Sequence, residues 1–283
     1  MAYVDVNGVQ HYYEWITESA SPGDKPVMVL LHGWAGSARY WESTARAISP
    51  QFDCLLYDMR GFGRSAPAAP DAMAADPDLG TMESFAEDLK ALLDALSLNQ
   101  IYMNAHSLGG SVGLYFLERY PERVQKAILT CNGSFEYDPK AFEAFYRFGG
   151  YVVKFRPSWL GKIPLAPYFF MSRFLHRSIP YGEKRAFLDD FLLADEATAL
   201  GTMRSAVSQH ATVAMPKAFS GLKVPTLLVS GQYDKITPAP LGQQAAAMSD
   251  QIDYVMMPKT AHFPMLEDPD KYLEIILDFL SAR

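Results

Sequence analysis

The chain has little cysteine: two residues in 283, Cys54 and Cys131. Two thiols make neither a disulfide framework nor a cysteine-rich zinc site. Each sits in an apolar run, which reads as a reduced, buried side chain in a cytoplasmic protein. Basic charge is not in surplus: 25 Lys and Arg stand against 32 Asp and Glu, a net of −7. That argues against a nucleic-acid partner. No run reaches the roughly 18 uncharged apolar residues of a membrane-spanning helix. The first residues show neither the basic nor the apolar stretch of a signal peptide. Internal repeats and low-complexity tracts are missing too. What remains is an ordinary mixture, 49% hydrophobic and 20% charged, long enough to bury a large core.

Residues 2–15 alternate around Asn7-Gly8, which predicts a hairpin with a tight turn. Short apolar runs follow at 27–31, 52–57, 101–105, 126–131, 224–230 and 252–256. They are rich in Val, Ile, Leu and Tyr and do not alternate, as strands buried on both faces of a parallel sheet do. Helical patterns lie between them near 38–48, 81–97, 108–119 and 240–248. A last helix is expected to start at Asp268-Pro269, an N-cap followed by proline in the first turn. Alternating strands and helices predict an α/β fold with a mostly parallel sheet, an N-terminal antiparallel hairpin and helices on both faces. The Pro/Ala-rich stretch 66–75 is expected to be a surface loop.

Residues 135–219 interrupt the alternation. They hold no convincing strand and read as short helices divided by Pro157, Pro164, Pro167 and Pro180. This segment carries 17 of the 37 aromatic residues and 11 Lys and Arg against 8 Asp and Glu. It is expected to form a helical lid inserted after the sixth strand, with 1–134 and 220–283 making up the core domain.

The chemistry-bearing residues lie just past strands. Ile101–Ala105 runs into His106-Ser107-Leu108-Gly109-Gly110 and then a helical pattern. A serine on a sharp strand-to-helix turn needs small neighbours two positions away, and Ala105, Gly109 and Gly110 supply them. A serine hydroxyl is a weak nucleophile until a base takes its proton, and a buried carboxylate usually orients that base. Ligands of parallel sheets gather beyond the carboxyl ends of the strands. There the chain offers Asp234 after 224–230 and His262 after 252–256. No acid directly follows the strand ending at Cys131. Gly33, in His32-Gly33-Trp34, lets its loop approach the serine, so the backbone N–H groups of Trp34 and Leu108 are expected to bind a developing oxyanion. His32 and His106 read as structural, and His11, His176 and His210 show no metal-ligand spacing.

These segments, with Asp58-Met59-Arg60-Gly61-Phe62-Gly63-Arg64-Ser65 and Gly231-Gln232-Tyr233-Asp234, resemble the α/β-hydrolase superfamily across nearly the whole chain outside the lid. The likeness is to its serine branch with a helical lid, which includes esterases, lactonases and cofactor-free haloperoxidases. It implies a triad of Ser107, Asp234 and His262 and no metal or organic cofactor. Serine rather than aspartate as nucleophile departs from the haloalkane dehalogenase and epoxide hydrolase branches. The oxyanion loop lacks the Ser-Gly-Pro pattern of many carbon–carbon bond hydrolases.

The implied activity is hydrolysis of a carboxylic ester, thioester or lactone with an apolar part. A carbon–carbon bond hydrolase or perhydrolase with the same triad, and a slow-turnover ligand receptor, are the alternatives. Among the lid aromatics and their neighbours, Phe145, Phe148, Phe170 and Phe263 are expected to line the substrate pocket. Aromatics mixed with Lys154, Arg156, Arg173 and Arg177 also leave open a peripheral membrane contact through the lid.

Overall fold

The computed structural model describes residues 2–19, 21–69, 77–135 and 138–282, apart from the side chains of residues 77, 141 and 145. Most of the expected 66–75 loop therefore lies outside the described residues.

Asn7 and Gly8 take φ values of 53° and 79°. Two successive positive values make the turn whose twist matches a hairpin. It joins β1 (Ala2–Val6) to β2 (Val9–Ile16) as an antiparallel pair. The remaining strands are β3 (Val27–Leu31), β4 (Asp53–Tyr57), β5 (Ile101–His106), β6 (Val124–Thr130), β7 (Thr226–Gly231) and β8 (Ile252–Met257). The sheet runs β1-β2-β4-β3-β5-β6-β7-β8. β2 meets β4 antiparallel, and from β4 to β8 every pairing is parallel.

Consecutive residues of the inner strands feed opposite cores. Val29, Leu31, Leu55 and Leu129 pack with α2 (Met82–Ala95) and α3 (Leu108–Arg119). Met28, Leu30, Leu56 and Ile128 pack on the other face with Trp41, Ile48, Tyr272 and Ile276. This two-sided burial explains the unbroken apolar runs. The second face is covered by α1 (Glu42–Ile48) and, after α9 (Ala239–Ala246) and α10 (Pro264–Glu267), by α11 (Pro269–Ser281). The chain enters α11 through Asp268 as N-cap and Pro269 in the first turn, as expected, but the Asp268 side chain makes no capping hydrogen bond. Its carboxylate instead accepts a hydrogen bond from Arg177 at 2.7 Å.

Between β6 and β7 the described residues form α4 (Pro139–Lys154), α5 (Ala166–Met171), α6 (Tyr181–Leu193), α7 (Glu196–Ala206) and α8 (Gln209–Ser220). α8 packs on α3, with Ala211, Met215, Ala218 and Phe219 in the first core. Val153, Leu188, Phe191 and Ala199 of the preceding helices join the same core. Among the described residues no helix is long and apolar enough to cross a membrane.

Candidate active site

Ser107 sits between β5 and α3 with φ 52° and ψ −118°. Few non-glycine residues adopt that conformation, and it persists only where the surroundings hold it. Its N–H donates to the Thr130 carbonyl at 2.9 Å, and its own carbonyl accepts from Ser111 N–H at 3.1 Å and Asn132 Nδ2 at 3.1 Å. Packing explains the small residues around it. A Cβ on Gly109 would lie 2.4 Å from the His32 carbonyl oxygen, and one on Gly33 would lie 3.2 Å from Ser107 Cβ.

His262 follows β8, and its Nε2 lies 3.0 Å from Ser107 Oγ. Its Nδ1 lies 2.7 Å from Asp234 Oδ2. Asp234, beyond β7, also accepts at Oδ1 from the N–H groups of Ile236 (2.7 Å) and Thr237 (3.1 Å). Burial opposes its ionisation, but His262 and these two donors outweigh that and hold the carboxyl below its usual range. An ionised carboxylate only accepts, so the proton resides on His262 Nδ1 and leaves Nε2 bare toward the Ser107 hydroxyl. The three side chains, distant in sequence, form one hydrogen-bonded file.

The loop of Trp34 is fixed above this file. Gly33 N–H donates to the Tyr40 hydroxyl, and His32 Nδ1 lies 2.8 Å from the Gly33 carbonyl. The Tyr40 hydroxyl lies 2.9 Å from His106 Nδ1, and His106 Nε2 lies 2.7 Å from the His262 carbonyl. His106 thus links the two loops. His106, Cys131 and His262 place ligand-type atoms within 4.8 Å of one another. Every ring nitrogen of the two histidines has a hydrogen-bond partner within the fold. Leu108 opens α3, where the geometry of a helix gives its N–H no acceptor within the helix.

An arc of aromatic rings spans from the Trp34 loop to His262. Trp34 meets Phe191 (6.0 Å between centroids), Phe191 meets Phe170 (5.0 Å), Phe170 meets Phe174 (5.9 Å) and Phe174 meets His262 (6.2 Å). Of the four phenylalanines singled out in the sequence, Phe170 is in this arc. Phe263 packs against His106, Tyr40 and Phe187 and also meets Phe174 of the arc at 6.3 Å. Phe148 is 73% exposed on α4, on a face without a partner among the described residues. The side chain of Phe145 lies outside the described residues. Phe174 and Phe191 escaped selection because aromatic spacing does not say which ring turns inward.

Glu267 also escaped sequence reasoning. Its buried carboxylate accepts from the N–H groups of Ala261 (2.8 Å) and Phe263 (3.4 Å), on either side of His262. Its other oxygen accepts from the N–H groups of His176 and Arg177, both at 2.7 Å. The His262 N–H in turn donates to the Phe174 carbonyl at 2.9 Å. One carboxylate therefore ties the segment between β6 and β7 to the His262 loop. Glu267→Gln would aim an amide donor at these donors, and a small misplacement of a reacting group costs up to about 10²-fold in rate. We expect kcat to fall by that order with KM little changed. Titrating the active fraction alongside kcat separates misalignment from unfolding. An unchanged kcat would remove Glu267 from this role.

Three buried histidines set the acid response of the fold. Burial, aided by Arg60, lowers His11 from the ordinary 6.5 to about 4. Burial also lowers His32 and His106. The unfolded chain takes up these protons below about pH 6.5 while the folded chain refuses them. Stability therefore falls as pH drops from about 6.5 toward 4, by up to ~1.4 kcal/mol per pH unit for each histidine. Urea midpoints at neutral pH and near pH 5 measure this, and equal midpoints would contradict it.

The sequence model described as the alpha/beta hydrolase fold matches residues 26–269. The chain belongs to the α/β-hydrolase family. This hydrolase is 30% identical over 266 residues to RutD of Pseudomonas savastanoi pv. phaseolicola, which is named for carbamate hydrolysis, covering 92% of this chain and 95% of that one. Its fold matches the enol-lactonase of Burkholderia xenovorans LB400 with a TM-score of 0.79 at 22% identity, covering 99% of this chain and 100% of that chain. It matches a thermophilic esterase of Thermogutta terrifontis with a TM-score of 0.80 at 21% identity, covering 99% and 98%.

Proposed function

We propose that this hydrolase is a serine esterase that cleaves carboxylic esters, thioesters or lactones with an apolar part through an acyl-enzyme. The observation that carries the reading is the file of Ser107, His262 and Asp234, joined at 3.0 and 2.7 Å beneath an aromatic arc. Ser107 Oγ attacks the carbonyl while His262 Nε2 takes its proton. Asp234 holds the ring and stabilises the imidazolium. The N–H groups of Trp34 and Leu108 take the oxyanion, where one donor is worth roughly 10²–10³ in rate. The imidazolium returns its proton to the leaving alcohol. A water then repeats the attack on the acyl-enzyme with His262 as base, and Ser107 is regenerated. None of these steps calls for a metal or an organic cofactor. Phe170, Phe174 and Phe191 supply an apolar wall for the acyl or alcohol group. Two buried, reduced thiols fit a cytoplasmic setting.

The 30% likeness to RutD supports a second electrophile, a carbamate, since the same attack applies to its carbonyl. A panel of p-nitrophenyl esters of increasing chain length, run beside a carbamate and a lactone, tests the reading. We expect kcat/KM to rise with acyl length until the aromatic wall is filled. Preference for the carbamate, or for a dienone or peroxide cosubstrate, would replace the ester reading. A kcat below about 10⁻² s⁻¹ on every good ester, against ~10 s⁻¹ for a typical enzyme, would favour a receptor.

A further inference from the structure

Among the described residues, the outward face of α4 has no partner. Gly149 and Val153 turn inward, with Gly149 against Met203 of α7. Phe148, Tyr151 and Phe155 recur at helical spacing on the opposite side and are 73%, 68% and 80% exposed. The next elements continue the pattern with exposed Trp159, Leu165 and Phe169. Monomeric proteins rarely leave that much aromatic surface in water without an interaction to make.

Charge selects the occupant. Between Glu143 and Glu183 the chain has no acidic residue and six Lys or Arg, although the whole chain carries −7. Arg147 and Lys154 border the aromatic face of α4, and Lys162 and Arg173 follow on the exposed turns beyond it. A second copy docked face to face would set these cations against their own kind. Aromatic and aliphatic side chains beside cations, with Glu143 the one described acid on α4, fit a helix lying in an anionic lipid interface.

We propose that the outer face of the lid, centred on Tyr151, Lys154 and Phe155, docks on anionic phospholipid membranes. The aromatic rings enter the headgroup boundary while Arg147 and Lys154 face lipid phosphates. The contact does not depend on turnover.

Cosedimentation of the full-length Ser107→Ala protein with vesicles tests it without consuming lipid. Vesicles of equal parts phosphatidylcholine and phosphatidylglycerol should bind the protein, and pure phosphatidylcholine should bind it far less. Raised salt should weaken the contact. Each cation near such a surface is worth about fivefold in partitioning, so Arg147→Gln with Lys154→Gln should lower it about 25-fold. Tyr151→Ser with Phe155→Ser should lower it at least about tenfold at any salt. All four positions are exposed, so the variants should melt with the parent. Equal binding to both vesicles, or to neither, would overturn the proposal. So would a dimer in sedimentation velocity that Phe155→Ser dissociates, because the face would then belong to a second copy.

Discussion

Ser107→Ala should lower kcat on any ester this hydrolase turns over by roughly 10⁶-fold while leaving the fold intact. In enzymes where serine, histidine and aspartate act as a unit, loss of the nucleophile costs about that much, and the remainder comes from binding and the oxyanion donors. The side chain is only half-buried, and the backbone contacts that hold its conformation are those of Thr130, Ser111 and Asn132, none of which uses Oγ. The melting temperature should therefore stay close to that of the parent. Non-additivity sharpens the test: adding His262→Ala to Ser107→Ala should cost almost nothing further, because the base has no proton left to take. A variant that retained a hundredth of the parent rate would show that another group attacks the carbonyl.

Asp234→Asn should cost roughly 10⁴-fold in kcat with KM nearly unchanged. The two donors at Oδ1, Ile236 and Thr237, decide how the amide turns. Its carbonyl oxygen stays with them, so its NH₂ faces His262 Nδ1. That ring nitrogen must then lose its proton, Nε2 gains one, and the ring donates toward Ser107 instead of accepting from it. The same carboxylate also ties stability to pH. Its folded pKa is depressed, so its contribution is present above the ordinary carboxylate value of about 3.9 and is lost as pH falls through the folded value. The Asn variant should lack that acid-dependent share. A fall of less than tenfold in kcat would mean that Asp234 does not set the tautomer.

The core was legible because burial on both faces leaves strands no room for polar alternation. Val27–Leu31 and the 101–105 run announce themselves for that reason, and the Asn7-Gly8 turn follows from two residues that tolerate positive φ. Ser107, Asp234 and His262 could be placed because strand ends in a parallel sheet converge on one edge. Side-chain direction between β6 and β7 could not. Phe148 and Phe170 have the same chemistry, yet one meets water and the other Phe191. Glu267 was hidden for a related reason. It lies in a short helical turn just after His262, and its four backbone donors come partly from residues about 90 positions away, which no local pattern records. Asp268 is the N-cap that the motif predicts, but its carboxylate takes Arg177 as a charged partner instead of a helix N–H.

Intact-mass and peptide mass spectrometry after treatment with a fluorophosphonate tests the central claim most directly. A serine activated by His262 should gain one phosphonyl group, on Ser107 alone, at a rate that falls sharply in Asp234→Asn and with no labelling in Ser107→Ala. Full labelling of Ser107→Ala, or an adduct on a different residue of the parent, would contradict the assignment of Ser107 as the nucleophile.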